Sequence, residues 1–310
     1  WSICSSIIRS ASEYDPKNNI TTGKLLGMYL QLGRLPSTLV GLAVMFCPPI
    51  GCFLNVAILR WPAKTQAEWR RDLRDFLGLE PEVSEQPVTL SKPASRCPIC
   101  GVAIKPQHNI PLISYLFLKG RCKACATPIS IQYPMVELLA GLLAGFFVYH
   151  YGLSIISLYG IFFSYSLLVL TGIDLHEQLL PDQITLPLLW LGLFVNLSGT
   201  FVSLNEAVVG AIAGYLSLWL VFWAFKLVTG KEGMGDGDFR LLAALGAWMC
   251  WPMLPLVILL SIVFGATVGT AATLFAGRQK QVPMAFGPYL AMAGWIAFVW
   301  GDKILDSYLR

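Results

Sequence analysis

Apolar residues along this chain fall in long unbroken runs, separated by short polar connections and one long polar stretch. Runs of bilayer-crossing length, about 17–25 residues for a helix, lie near 37–59, 133–151, 154–173, 183–202, 205–228, 239–251, 253–276 and 284–301. The sixth is short, and Trp251-Pro252 permits a tight turn into the seventh, so the pattern predicts eight transmembrane helices, with seven as the alternative. Trp61, Tyr133, Tyr149, Tyr151 and Trp300 stand at run ends, where the interfacial belt places aromatic rings. The expected fold class is an all-α polytopic membrane protein. Its expected divisions are an extension over residues 1–36, a first transmembrane helix over 37–60, a cytoplasmic loop over 61–132, a membrane helical core over 133–303 and a tail over 304–310.

Composition agrees: 55% of residues are hydrophobic and only 13% charged, against about a quarter charged in ordinary soluble domains. The distribution of charge adds orientation. Of the 22 Lys and Arg, 11 lie between Arg60 and Lys123, beside six acids. Positive charge marks the cytoplasmic side, which places residues 60–132 inside. Counting spans from there, the connections 174–182 and 229–238 are also cytoplasmic, as are Arg278 and Lys280. The basic bias has no interleaved aromatic motif of the kind nucleic-acid sites use, so no nucleic-acid partner is expected. Residues 1–33 are polar and irregular, without the n-region and h-region of a signal peptide, and carry no expected role.

The long polar stretch contains "CPIC", Cys97 to Cys100, and after 21 residues "CKAC", Cys122 to Cys125. Each C-x-x-C chelates one metal from a tight turn, and two such knuckles offer four thiolates to a tetrahedral zinc. Arg96, Arg121 and Lys123 favour thiolate. Two disulfides are the competing reading, disfavoured in a reducing cytosol. A zinc held by Cys97, Cys100, Cys122 and Cys125 leaves no open position and is expected to be structural. Cys4, Cys47, Cys52 and Cys250 are scattered and read as packing residues.

Two acidic connections face the same side. "GIDLHEQLLPDQITLP" carries Asp174 directly after the third run and Asp182 before the fourth. Asp182, after Pro181, reads as a helix cap, whereas Asp174 falls at a helix end where the dipole disfavours negative charge. "GMGDGDFRLLAALGAW" sets Asp236 and Asp238 against the sixth run. Capping is a fair account of Asp236, and Gly233, Gly235 and Gly237 allow backbone conformations closed to other residues. A phosphate-cradling loop is poorly supported, since no Lys-Ser/Thr follows. Two carboxylates brought together share a proton, one acting as acid and the other as base, and such a pair activates water against an amide with no covalent intermediate. His108, His150 and His176 lie in unrelated places, and neither G-x-S-x-G nor H-E-x-x-H occurs. Aspartyl proteolysis is the chemistry that fits.

From about Gly51 to Gly301 the chain resembles the type IV prepilin peptidases, the bifunctional leader peptidases and N-methyltransferases of type IV pilus and type II secretion systems. The resemblance is carried by "GCFLNVAILRWP", "RCPIC…GRCKAC", "NIPLISYLFLKGRC", "YPMVELL", "IDLHEQLLPDQITLP" and "GMGDGDFRLLAALGAW". It implies that Asp174 and Asp238 are the catalytic pair, Asp238 closing the G-x-G-D motif. The family's usual residue at position 236 is uncharged, so a second framing that ends the motif at Asp236 stays open. The resemblance further implies a bacterial inner-membrane enzyme embedded in the lipid bilayer. Its substrates would be prepilins or pseudopilins with a basic leader cut after a glycine. It also implies methylation of the new N-terminus from S-adenosyl-L-methionine, whose site no residue pattern locates. Glu80, Glu82 and Glu85 are candidates for reading the basic leader. A transporter would show internal repeats or interrupted helices at mid-membrane, and a zinc-organised scaffold would have no use for two acidic connections on one face.

Overall fold

A computed structural model describes residues 48–79, 89, 97, 99–103, 115, 118–230, 234–275 and 285–309. Expectations resting on residues 1–47 (Cys4 and Cys47 among them), Glu80, Glu82, Glu85, Arg96, His108, Gly233, Arg278 and Lys280 lie outside the described residues. The described residues form α-helices and no strand: α1 Pro48–Phe76, α2 Gln132–Tyr151, α3 Ile155–Glu177, α4 Asp182–Val195, α5 Leu204–Thr229, α6 Asp236–Met249, α7 Leu254–Phe275 and α8 Gly287–Leu309. Four segments, Gln132–Tyr151, Ile155–Glu177, Leu204–Thr229 and Trp251–Leu274, are long and apolar enough to cross a membrane. Helices α4 and α6 have 14 residues each, about 21 Å of rise against a hydrocarbon core of about 30 Å.

The chain divides into two compact units, one of Arg34–Ile173 and one that includes Asp174–Arg310. In the first, α1 continues past the expected end of the first span as far as Phe76. The sequence there, "AKTQAEWRRDLRDF", is rich in helix formers, and Lys64 pairs with Glu68 one turn on at 3.6 Å. The apolar run ends near residue 59, but the helix does not depend on lipid to continue. Glycines set close contacts in this unit: a Cβ at Gly172 would lie 2.6 Å from Ile58 Cδ1, and one at Gly160 only 2.3 Å from Phe147 Cε1. The Tyr165 hydroxyl donates to Ala140 O at 3.1 Å, so this buried polar group carries its own partner, as an apolar environment demands.

The second unit is built around α6. Its residues from Leu241 to Met249 are buried on every side, with α5, α4 and α8 packed against it. The apolarity of the short sixth run therefore serves a protein core. Helix α5 crosses α6 through "GAIAG": a Cβ at Gly210 would sit 2.3 Å from Gly246 O, and one at Gly214 2.6 Å from Leu242 O. Small residues four apart let two backbones approach in this way. Trp248 Nε1 donates to Leu188 O at 2.9 Å, and Asn196 Nδ2 donates to Ala247 O at 2.9 Å, tying α4 and its exit to the end of α6. The fourth run was expected to stay helical to about residue 202. It stops at Val195 instead, followed by a 3-10 turn over Asn196–Ser198 and by Gly199 at φ 67°. Asn196 explains the break, since its Oδ1 accepts from Phe201 N and Val202 N at 3.1 and 3.2 Å and folds the chain back. The Ser203–Glu206 capping box then starts α5. Trp251–Met253 forms the expected tight turn between α6 and α7, and α8 runs to Leu309, past the expected core boundary at 303.

Candidate active site and cysteine cluster

Three helix ends meet where the two acidic connections lie. Asp174 stands in the last turn of α3, which closes through Gln178 N donating to Asp174 O at 2.9 Å. Gln178 takes the left-handed conformation at φ 52° and ends the helix. Leu179, Leu180 and Pro181 lead into α4, whose N-cap is Pro181. Leu180 is buried between two glycines of distant helices: a Cβ at Gly237 would lie 2.6 Å from Leu180 Cβ, and one at Gly287 3.2 Å from Leu180 Cδ1. The starts of α6 and α8 are thereby drawn to the end of α3. Asp174 is 5% exposed and Asp238 7%, and the charge of Asp174 reaches Asp238.

The placement of Asp174 has a physical account that its own helix denies it. Gly287, the first residue of α8, donates its backbone N–H to Asp174 Oδ2 at 2.9 Å. An unpaired N–H and the positive end of a second helix dipole thus face a carboxylate that sits at the negative end of the first. A Cβ at Gly287 would stand 2.6 Å from that same oxygen, so the donor approaches only because the residue is glycine. Asp238 lies in the first turn of α6, where negative charge is favoured.

The other two aspartates behave differently. Capping was expected of Asp182 and Asp236, but the N-caps are Pro181 and Gly235, and neither makes a side-chain cap bond. Asp182 is exposed and paired with Arg240. Asp236 is exposed at the first position of α6. The glycines of the motif also act otherwise than expected: Gly235 has φ −84° and ψ 151°, open to any residue, and Gly237 serves by leaving room for Leu180. Gly287 was not singled out from the sequence, because its contribution is a backbone N–H.

The four cysteines converge in the other unit. Their sulfurs all lie within 4.8 Å of one another, and Cys97 Sγ is 3.7 Å from Cys125 Sγ. All four are free thiols, and the disulfide reading is set aside. The two knuckles repeat one geometry. Gly101 N donates to Cys97 O and Ala126 N to Cys122 O, at 3.0 and 2.9 Å, while Cys97 N donates to Val102 O and Cys122 N to Thr127 O, at 3.0 and 2.8 Å. Gly101 and Ala126 both have positive φ, 69° and 56°. Tetrahedral zinc with Zn–S near 2.3 Å separates its sulfurs by about 3.8 Å, close to the Cys97–Cys125 separation. The Thr127 hydroxyl, 3.2 Å from the Cys125 sulfur, draws that thiol down to about 6, toward the thiolate a metal needs.

Comparison with known proteins gives a consistent result. Residues 161–270 match the type IV leader peptidase family, and residues 45–151 match the bacterial peptidase A24 N-terminal domain. The chain is 51% identical over 261 residues to a prepilin leader peptidase/N-methyltransferase of Stutzerimonas stutzeri, covering 84% of this chain and 90% of that protein. It is 50% identical to one from Pseudomonas aeruginosa over the same shares. With one from Aeromonas hydrophila it shares 49% identity over 286 residues, 92% of this chain and 99% of the relative. No solved structure matches.

Proposed function

The chain belongs to the type IV leader peptidase family, and on that premise we propose that it is a prepilin peptidase and N-methyltransferase whose hydrolytic dyad is Asp174 and Asp238. The observation that carries the dyad is selective burial: of the four aspartates in the two connections, only Asp174 and Asp238 are buried, in one unit at converging helix ends. That favours the framing of the motif that ends at Asp238. Two buried carboxylates in each other's field do not both ionise cheaply, so the pair holds one proton between them. The ionised member takes a proton from water as its oxygen attacks the carbonyl carbon of the scissile peptide. The protonated member then delivers a proton to the departing amine, restoring one proton to the pair. The Gly287 N–H fixes the carboxylate of Asp174 throughout.

The substrate is the leader junction of a prepilin or pseudopilin, cut after a glycine. The protein is a multi-pass inner-membrane enzyme whose eight apolar runs, from 37–59 to 284–301, are its spans, the short sixth one enclosed by α5, α4 and α8, with residues 60–132, 174–182 and 229–238 on the cytoplasmic side. The charge distribution supports this orientation. Cys97, Cys100, Cys122 and Cys125 would hold one zinc through four thiolates, a filled set that would fix the knuckles and leave no open position for catalysis. S-adenosyl-L-methionine supplies the methyl group for the new N-terminus. Incubating the purified protein in detergent with a synthetic prepilin tests the proposal. A cut after the leader glycine, with methylation of the product when the methyl donor is added, is expected; an intact prepilin would refute it.

A further inference from the structure

One leucine touches both of the glycines that stand beside the proposed dyad. Gly237 precedes Asp238 in the first turn of α6, and Gly287, at the start of α8, donates the N–H that Asp174 accepts. A Cβ at Gly237 would lie 2.6 Å from Leu180 Cβ and 3.4 Å from Leu180 Cδ1, and one at Gly287 would lie 3.2 Å from that same Cδ1. A single methyl group therefore keeps the start of α6 apart from the start of α8. Leu180 is buried, and all five residues belong to the unit that includes Asp174–Arg310.

The leucine is itself firmly held. Pro181 follows it and restricts its backbone to the extended region. Pro181 O accepts from Ile184 N and Thr185 N at 3.0 and 3.1 Å, and from the Thr185 hydroxyl at 3.3 Å, so three donors anchor the residue that carries Leu180. A close-packed interior transmits displacement rather than absorbing it. Any position that Leu180 imposes on Gly237 passes along the chain to Asp238. Any position it imposes on Gly287 passes to Asp174 through the 2.9 Å hydrogen bond. Burial alone would stabilise a leucine anywhere in this core, whereas contact with both glycines is particular to this one.

We propose that Leu180 is a positioning residue for peptide hydrolysis, its side chain setting the separation of the Asp174 and Asp238 carboxylates. The proposal rests on the reading of these two aspartates as the hydrolytic dyad. Two carboxylates share a proton only while they stay close: farther apart, each ionises on its own. Without the methyl, the starts of α6 and α8 close over the vacated space and carry both carboxylates away from the water they activate. A displacement of about 1 Å in a catalytic geometry costs up to about 10²-fold in rate. Leu180 holds the dyad and takes no part in binding substrate, so the loss falls on kcat rather than on KM.

The test is steady-state cleavage of a synthetic prepilin by the purified full-length protein in detergent, read beside the thermal unfolding midpoint of each variant. Leu180→Ala should lower kcat at least about tenfold with little change in KM. Leu180→Val gives up only the terminal carbons and should show a smaller loss of the same kind, which serves if the alanine variant fails to fold. Leu180→Met, similar in volume and able to refill the gap, should return kcat to near wild type. Met253→Ala is the control for lost packing. Met253 is buried at the opposite end of α6, where a Cβ on Gly301 would lie 2.8 Å from its sulfur. Its truncation should lower the midpoint comparably and leave kcat near wild type. The proposal is overturned if Leu180→Ala and Leu180→Val keep the wild-type kcat, or if a folded Leu180→Met stays as slow as Leu180→Ala. It is also overturned if Met253→Ala loses as much kcat at an equal loss of midpoint, since stability then accounts for the rate. Each of these outcomes leaves the peptidase reading standing, whereas a wild type that leaves the prepilin intact refutes that reading and this proposal with it.

Discussion

Gly287 does two things for Asp174 that no other residue could do at its position. It brings an N–H to within 2.9 Å of the carboxylate, and it leaves empty the space where a Cβ would stand 2.6 Å from Oδ2. Gly287→Ala should therefore displace the carboxylate and lower kcat for prepilin cleavage about 10²-fold, the usual cost of a misplaced catalytic group, with little change in KM. Gly235→Ala is the matched control. A Cβ there meets nothing within 4 Å, and cleavage should stay near wild type. Equal losses in the two variants would show that the glycines matter for a reason other than space at Asp174. The aspartates themselves were legible in the sequence, because a charge beside a long apolar run is costly and stands out. The partner of Asp174 was not, since a backbone N–H leaves no side-chain signature and this one lies 113 residues away.

Among the elements, α6 is the one on which the unit holding Asp174 and Asp238 depends. Its approach to α5 leaves no room for a side chain at Gly210 or Gly246. Gly210→Ala should destabilise the protein by about 1–3 kcal/mol, the range for overpacking a filled contact, seen as a lower thermal unfolding midpoint in detergent. An unchanged midpoint would mean that the crossing is looser than described. The cysteine knuckles make a separate prediction. Metal analysis should find close to one zinc per chain, falling sharply in Cys122→Ser, and full zinc content in that variant would remove the four-sulfur site. The knuckles could be read directly from spacing, because two C-x-x-C turns impose their own geometry. Helix ends were harder. Hydropathy reports lipid or core, so it did not show that α1 continues as a charged helix to Phe76. It also missed the end of α4, where "NLS" is uncharged and the turn depends on what the Asn196 side chain bonds.

For the whole molecule, the hydropathy pattern conveyed the helical membrane class but not the division into two units, which is a matter of which helices touch. The division matters because Asp174 and Asp238 fall within one unit and the cysteine cluster within the other. It bears on orientation too: if the two acidic connections share the cytoplasmic side, single cysteines introduced at Gln178 and Asp236 should resist an impermeant thiol reagent applied to intact cells. Labelling at either position from outside would put the carboxylates on opposite faces. The most direct test of the central claim is prepilin cleavage by four single variants, each purified and shown to be folded. Asp174→Asn and Asp238→Asn keep size and hydrogen bonding but remove the shared proton, and each should lose at least about 10²–10⁴ in rate. Asp182→Asn and Asp236→Asn, at exposed positions, should cleave at close to the wild-type rate. Activity in Asp238→Asn with none in Asp236→Asn would move the dyad one glycine-aspartate step along the chain, and cleavage by all four would contradict the aspartyl mechanism.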